Sequence, residues 1–315
     1  MNIVVLDAAT LAGVDLSPLA QFGTVSTYEH TTAEQVISRI KNANVVISNK
    51  VQLNAAHFSQ LSALKLICAA ATGTNNIDLV AAKAAGIAVT NVAGYSTPSV
   101  VQHTFTMLGN LMTNIHRYAD DCRHGAWQQS PMFCRLDHSI NEIAGKRFVV
   151  VGYGNLGQAV ANVAKAFGAQ VIIAERPNSK EVRRGRMAFE EALKVADIVS
   201  IHCPLTPQTE NVFNAETLAL LPKHAILINT ARGGIVEEHA LAKALESKQL
   251  AAAGVDVLST EPAQADNPLI QYSGDNLLLT PHTAWASKES IDRLIAGIAE
   301  NIASYLNGGQ TNRVV

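Results

Sequence analysis

Long apolar runs are missing from this 315-residue sequence, and none approaches the roughly 20 residues that a membrane-spanning helix requires. No basic n-region precedes the first apolar residues, so Met1-Asn2-Ile3-Val4-Val5-Leu6-Asp7 reads as a first strand and not as a signal peptide. Basic blocks are absent and the formal net charge is −2, so neither nucleic acid nor an anionic membrane surface is expected as a partner. Cysteine is scarce. The four present, Cys68, Cys122, Cys134 and Cys203, fall at no metal-ligand or redox spacing. No metal site is therefore expected, and the thiols read as free in a reducing compartment. Aromatics make up only 5%, which leaves alanine and valine to carry much of the apolar content, a composition suited to parallel sheets under close-packed helices. The expectation is a cytoplasmic protein whose ligands are small molecules.

What is present is alternation. Short β-branched runs at 3–6, 45–48, 66–70, 88–91, 148–151, 171–174, 198–202, 225–229, 253–257 and 277–280 are candidate strands. Between them lie stretches with apolar residues at helical spacing, such as 33–41, 79–85, 156–167 and 238–247. Such alternation predicts parallel sheets with crossover helices, over a length that suits two domains. Thr97-Pro98 opens a long helical segment, Pro98 suiting the first position and Thr97 the cap. Its apolar stripe is Val101, Phe105, Leu108, Leu111, Met112 and Ile115. An irregular stretch at 120–141 carries Trp127, Pro131, Phe133 and Cys134, and packs either on a second subunit or on its own domain. A final helix is predicted at 287–307.

The strand at 148–151 runs into Gly152-Tyr153-Gly154-Asn155-Leu156-Gly157 and then a helix. In a dinucleotide-binding turn the first glycine permits the bend, the second admits the pyrophosphate, and the third lets helix and strand pack closely. The pyrophosphate then lies on unpaired amides at the helix start. Glycines alone are weak evidence, but here a strand precedes, a helix follows, and the next strand ends at an acid, Glu175. A carboxylate there accepts hydrogen bonds from the adenosine ribose and repels a 2′-phosphate, which favours NAD. Arg176 beside it would welcome that phosphate, so NAD is expected and NADP stays open.

Three further segments leave strands of the same sheet. They are Thr230-Ala231-Arg232-Gly233-Gly234, then Ser259-Thr260-Glu261-Pro262 after Gly254-Val255-Asp256-Val257, and Pro281-His282-Thr283-Ala284-Trp285. Ligands of open α/β sheets bind at such strand ends. Carbonyl reduction needs a proton for the developing alkoxide, and an imidazolium is the natural donor near neutral pH. A neighbouring carboxylate orients that ring and favours its charged form. An arginine can grip the carboxylate of a 2-oxo acid with two parallel hydrogen bonds. Singly, Arg232 reads as well as a surface charge, Glu261 as a loop acid and His282 as a core histidine. Together, after three strands, they read as a catalytic set.

In this combination the sequence resembles the D-isomer-specific 2-hydroxyacid dehydrogenases, and the likeness extends along essentially the whole chain. Ala71-Thr72-Gly73-Thr74-Asn75-Asn76-Ile77-Asp78, Asn91-Val92-Ala93-Gly94-Tyr95-Ser96 and Ser130-Pro131-x-Phe133-Cys134 are most similar to the glycerate dehydrogenase and hydroxypyruvate reductase branch. The resemblance implies two doubly wound α/β domains, a Rossmann NAD-binding domain at 99–285 inserted into a flavodoxin-like substrate domain at 1–98 and 286–315. It implies His282 as general acid/base paired with Glu261, and Arg232 as holder of the substrate carboxylate. Asp256 would orient the nicotinamide carboxamide, and Thr72 and Gly73 would bind the substrate carboxylate through their amides. Cofactor contacts are implied at Gly152, Gly154, Asn155, Leu156, Gly157, Glu175, Arg176, Thr230, Ala231, Arg232, Asp256 and His282. A homodimer is implied, with 120–141 near the partner.

The activity implied is reversible reduction of hydroxypyruvate or glyoxylate to D-glycerate or glycolate with NAD(P)H. Two other readings stay open: a dehydrogenase for another 2-oxo acid, as in D-lactate dehydrogenases, and a dinucleotide-sensing scaffold like the C-terminal-binding-protein corepressors. Glu175-Arg176 departs from the usual Asp at the ribose position, and Arg135-Leu136 stands where an aromatic commonly follows the Phe-Cys pair. Glu261 argues against formate dehydrogenases, which pair the histidine with glutamine. An end at Val315 leaves no room for the regulatory extension of many phosphoglycerate dehydrogenases.

Overall fold

Eleven strands assemble into two parallel sheets in a computed structural model that describes all residues, Met1–Val315. The chain divides into two units, Met1–Ser96 with Ala286–Val315, and Thr97–Trp285. The fold is α/β, two parallel doubly wound sheets of five and six strands. No helix is long and apolar enough to cross a membrane.

The first unit holds β1 (Asn2–Val5), β2 (Thr24–Thr27), β3 (Val45–Ser48), β4 (Leu66–Ala69) and β5 (Ala88–Thr90), in the order β2-β1-β3-β4-β5. This is the flavodoxin-like order. Every residue of β3, β4 and β5 is buried, because helices cover both faces of a parallel sheet. The edge strand β2, Thr24-Val25-Ser26-Thr27, is absent from the sequence expectation; three of its four residues are exposed, so it lacks the apolar run that marks the others. The Asp7 carboxylate, just past β1, is buried and accepts hydrogen bonds from the amides of Asn49 (3.0 Å), Lys50 (2.6 Å) and Val51 (3.3 Å). It thereby fastens the loop after β3. The helix Lys288–Leu306 is capped by Ser287 and buries Ile291, Leu294, Ile295, Ile298 and Ile302, a single stripe at helical spacing. Val314 then donates to the Val89 carbonyl (2.8 Å), covering the free edge of β5.

The second unit holds β6 (Arg147–Val151), β7 (Gln170–Ala174), β8 (Ile198–Ile201), β9 (Ile226–Asn229), β10 (Ala252–Val255) and β11 (Leu277–Leu279), in the order β7-β6-β8-β9-β10-β11. Strand order reverses beside β6, the place where doubly wound sheets take their ligands. Met187 bridges Ala174 in parallel beside β7, where a third strand would otherwise lie. In register, Val255 pairs with both Asn229 and Leu279. The loops after β9, β10 and β11 therefore start from one level.

Two details of the helical expectation are corrected. The helix Thr97–Thr113 begins at Thr97 itself, so Thr97 does not cap it. Asn114 adopts a left-handed conformation (φ 52°) and starts a new helix, Ile115–Arg123. That break turns Ile115 off the apolar stripe and leaves it 62% exposed. The rest of 120–141 is irregular, with Trp127, Met132, Phe133, Leu136 and Ile140 exposed.

Candidate active site

At the turn after β6, each glycine meets a different constraint. Gly152 has φ +94°, and a Cβ on it would overlap the backbone of His202 and Cys203. A Cβ on Gly157 would overlap the Gly152 carbonyl oxygen, so helix and strand approach too closely for any side chain. At Gly154 a Cβ would meet nothing within 4 Å. The helix Asn155–Ala166 starts at that open space with no side-chain cap, leaving its first amides directed outward with the positive end of the helix dipole. A cradle of amides around open space fits a dinucleotide pyrophosphate.

The acid at the end of β7 behaves otherwise than expected. Glu175 is 2% exposed and both its oxygens are occupied. Oε1 accepts from the Arg176 amide (2.8 Å) and from the Arg183 guanidinium, and Oε2 accepts from the Arg183 amide (3.2 Å) and Nε (2.8 Å). A carboxylate has about four acceptor positions, and all four are taken. Hydrogen bonds from Arg183 hold the Glu175 carboxyl well below the usual carboxylate range. Glu175 is therefore a buried anchor of its loop and has no acceptor left for ribose hydroxyls.

The loops after β9, β10 and β11 carry the cation, the acid and the imidazole. Asn229 shapes the first: its Oδ1 accepts from the Ala231 amide (3.1 Å) and its Nδ2 donates to the Arg232 carbonyl (3.0 Å). The Arg232 side chain is exposed and donates only to the Ala231 carbonyl (2.7 Å), with no carboxylate beside it. A Cβ on Gly233 would overlap Leu258, so this turn lies directly against the loop that carries Glu261. Glu261 accepts from the Leu258 amide on Oε1 (3.0 Å) and contacts His282 Nδ1 through Oε2 at 2.7 Å. One oxygen fixes the acid and the other fixes the ring. With Nδ1–H donated to Glu261, Nε2 is the atom left to face a substrate.

His282 sits at φ +54°, a conformation uncommon for residues other than glycine. Its amide donates to the Thr280 carbonyl (3.0 Å), and its carbonyl accepts the Trp285 indole N–H (2.9 Å). The neighbouring loop is held by Asp256, which is buried and accepts from Thr280 Oγ1 (2.6 Å) and the amides of Thr283 and Ala284 (both 2.9 Å). These contacts over-determine the strained backbone and aim the ring.

Several positioning residues escaped the sequence reading. His103 Nε2 lies 3.1 Å from Thr280 Oγ1, Ser99 Oγ donates to the Ala284 carbonyl (2.7 Å), and Thr104 Oγ1 lies 3.1 Å from Thr230 Oγ1. All three sit on the helix Thr97–Thr113, where buried Ser99 and Thr104 interrupt an apolar face; that interruption is the signal that could have found them. Glu238 accepts from the Ser259 amide (2.7 Å) and Asn267 Nδ2 (2.7 Å) and clamps the loop before Glu261. In the first unit, Thr72 Oγ1 donates to the Val92 carbonyl (3.1 Å) and Asn91 Nδ2 to the Thr72 carbonyl (2.6 Å), holding the Thr72-Gly73 turn in place.

Comparison with known proteins places this geometry. Residues 105–284 match the model of the D-isomer specific 2-hydroxyacid dehydrogenase NAD-binding domain. The chain belongs to the D-isomer-specific 2-hydroxyacid dehydrogenase family. A Haemophilus influenzae protein assigned provisionally as a 2-hydroxyacid dehydrogenase is 42% identical over 309 residues, covering 97% of this chain and 98% of its own. The glycerate dehydrogenase of Methylorubrum extorquens is 39% identical over 288 residues, covering 91% and 90%. Among solved structures, an acyclic imino acid reductase in complex with NADPH and D-Arg superimposes with a TM-score of 0.86 at 29% identity, covering 100% of both chains. This 2-hydroxyacid dehydrogenase is thus an NAD(P)-dependent oxidoreductase, with its nicotinamide cofactor on the second unit.

Proposed function

We propose that this dehydrogenase interconverts a small 2-oxo acid and its D-2-hydroxy acid, with hydroxypyruvate and D-glycerate as its principal pair and glyoxylate as a smaller substrate. The observation that carries the choice is the 39% identity to a glycerate dehydrogenase over nearly the whole of both chains. The bound nicotinamide supplies or accepts the hydride. Gly152, Gly154, Gly157 and the amides of Asn155 and Leu156 hold its pyrophosphate, while Thr230, Ala231 and Asp256 line its nicotinamide end. Arg232, free of any carboxylate partner, grips the substrate carboxylate and polarises the keto oxygen. His282 Nε2 donates a proton to the forming alkoxide, and Glu261, 2.7 Å from Nδ1, stabilises the ring charge before transfer. In the oxidative direction the same nitrogen removes the hydroxyl proton.

The protein acts as a homodimer. Trp127, Met132, Phe133, Leu136 and Ile140 present exposed apolar surface along one segment, more than an isolated subunit usually leaves uncovered. The segment is organised from within: Trp127 donates to the Phe133 carbonyl (3.0 Å), and Arg135 pairs with Asp137 (2.6 Å). A second copy of this chain is its occupant.

A kinetic panel tests the substrate. Hydroxypyruvate should give the highest kcat/KM among hydroxypyruvate, glyoxylate, pyruvate and phenylpyruvate, and its product should be D-glycerate on a chiral column. A preference for pyruvate or phenylpyruvate would refute the assignment.

A further inference from the structure

The loop between Glu175 and Met187 has a charge unlike the rest of the chain. It carries Arg176, Lys180, Arg183, Arg184 and Arg186 against Glu175 and Glu181, in a protein whose net charge is −2. The loop is closed at its base, where the Glu175 amide donates to the Met187 carbonyl (2.8 Å) and the Met187 amide to the Ile173 carbonyl (2.9 Å). Inside it, Arg183 neutralises Glu175 through a two-pronged contact, and Arg186 stands 3.7 Å from the same carboxylate. Arg176 and Arg184 are exposed and have no acidic partner. The loop thus presents positive charge at the end of the strand that follows the phosphate turn.

We propose that this enzyme selects NADP(H) over NAD(H), with the Arg176 and Arg184 guanidinium groups receiving the 2′-phosphate of the adenosine ribose. The inference rests on the reading of Gly152 to Gly157 as the cofactor's phosphate turn. Two physical points carry it. An unphosphorylated ribose is recognised by a carboxylate that accepts from its hydroxyls, and Glu175 has no acceptor position left. A strand-end carboxylate repels a 2′-phosphate only while its charge is uncompensated, and here the Arg183 fork compensates it. What remains outward are free guanidinium groups, the preferred partners of a phosphate dianion. Glu175 serves the same end from within, since the fork it makes with Arg183 shapes the loop that displays the other arginines.

The test needs no turnover. Full-length protein is titrated with 2′,5′-ADP and 5′-AMP by calorimetry, and with NADPH and NADH by cofactor fluorescence. The 2′-phosphorylated member of each pair should bind at least about tenfold more tightly, and the R176A/R184A double substitution should lower that ratio about tenfold, as loss of charge-assisted hydrogen bonds does. Both side chains lack acidic partners, so the variant should fold, which its thermal midpoint checks. Tighter binding of NADH, a ratio near one, or a ratio unmoved by the double substitution overturns the proposal. No 2-oxo acid is present, so failure here leaves the hydroxypyruvate assignment standing, and failure of that assignment leaves these ratios interpretable.

Discussion

At the scale of single residues, partnership separates function from structure. Arg232 and Glu175 are both charged residues beside strand ends, yet one guanidinium meets only a carbonyl while the carboxylate of the other is fully occupied. Arg232→Lys keeps the charge and loses the planar fork, so kcat/KM for the 2-oxo acid should fall about 10- to 100-fold, with most of the loss in KM. Arg232→Ala should fall further; steady-state kinetics of the two variants would expose equal losses, which would deny the fork a role. The candidates Arg232, Glu261 and His282 were legible in sequence because each follows a strand within a few residues. The saturation of Glu175 was not, since its partner lies across an irregular loop, at no periodic spacing, and only the fold brings the two together. His103 was hidden for a similar reason: its partner Thr280 is 177 residues away.

At the scale of elements, the phosphate turn gives a contrast between neighbouring glycines. A Cβ at Gly157 overlaps the Gly152 carbonyl whereas one at Gly154 meets open space. Gly157→Ala should therefore destabilise the fold by about 1–3 kcal/mol, the usual cost of overpacking. Gly154→Ala should stay within about 1 kcal/mol of the parent and instead weaken cofactor binding. Urea denaturation and cofactor titration of both variants separate the two effects; loss of stability at Gly154 alone would reverse the assignment. Most strands could be read from their β-branched runs, because burial on both faces demands continuous apolar sequence. The edge strand β2 could not, since solvent on one side tolerates threonine and serine. The end of the helix at Asn114 also left no mark, for asparagine enters left-handed backbone by a local choice that apolar periodicity does not record.

At the scale of the whole molecule, fold class was legible in the alternation of strands and helices, whereas assembly and acid sensitivity depend on surfaces and burial that emerge only on folding. Phe133, 91% exposed, lies at the centre of the proposed subunit contact. Phe133→Asp combined with Leu136→Asp should convert a dimer to a monomer by light scattering; an unchanged mass would place the contact elsewhere. Burial pushes the His202 imidazole down to about 3, and its Nδ1 is sealed from water with no partner. Because the folded value lies below the unfolded one of about 6.5, the unfolded chain binds the extra proton. Stability should be full above about pH 6.5 and decline as pH falls toward 3, by at most about 1.4 kcal/mol per pH unit for this one group. Urea midpoints of H202Q between pH 4 and 7 should show a shallower decline than the parent.

The catalytic claim rests on the 2.7 Å contact between His282 and Glu261. The most direct measurement compares the parent and His282→Ala for kcat on hydroxypyruvate, with the cofactor dissociation constant measured in parallel. Loss of the proton donor should lower kcat by about 10²–10⁴-fold, with cofactor affinity changing far less. Turnover retained within about threefold would contradict the assignment of His282 as the acid/base.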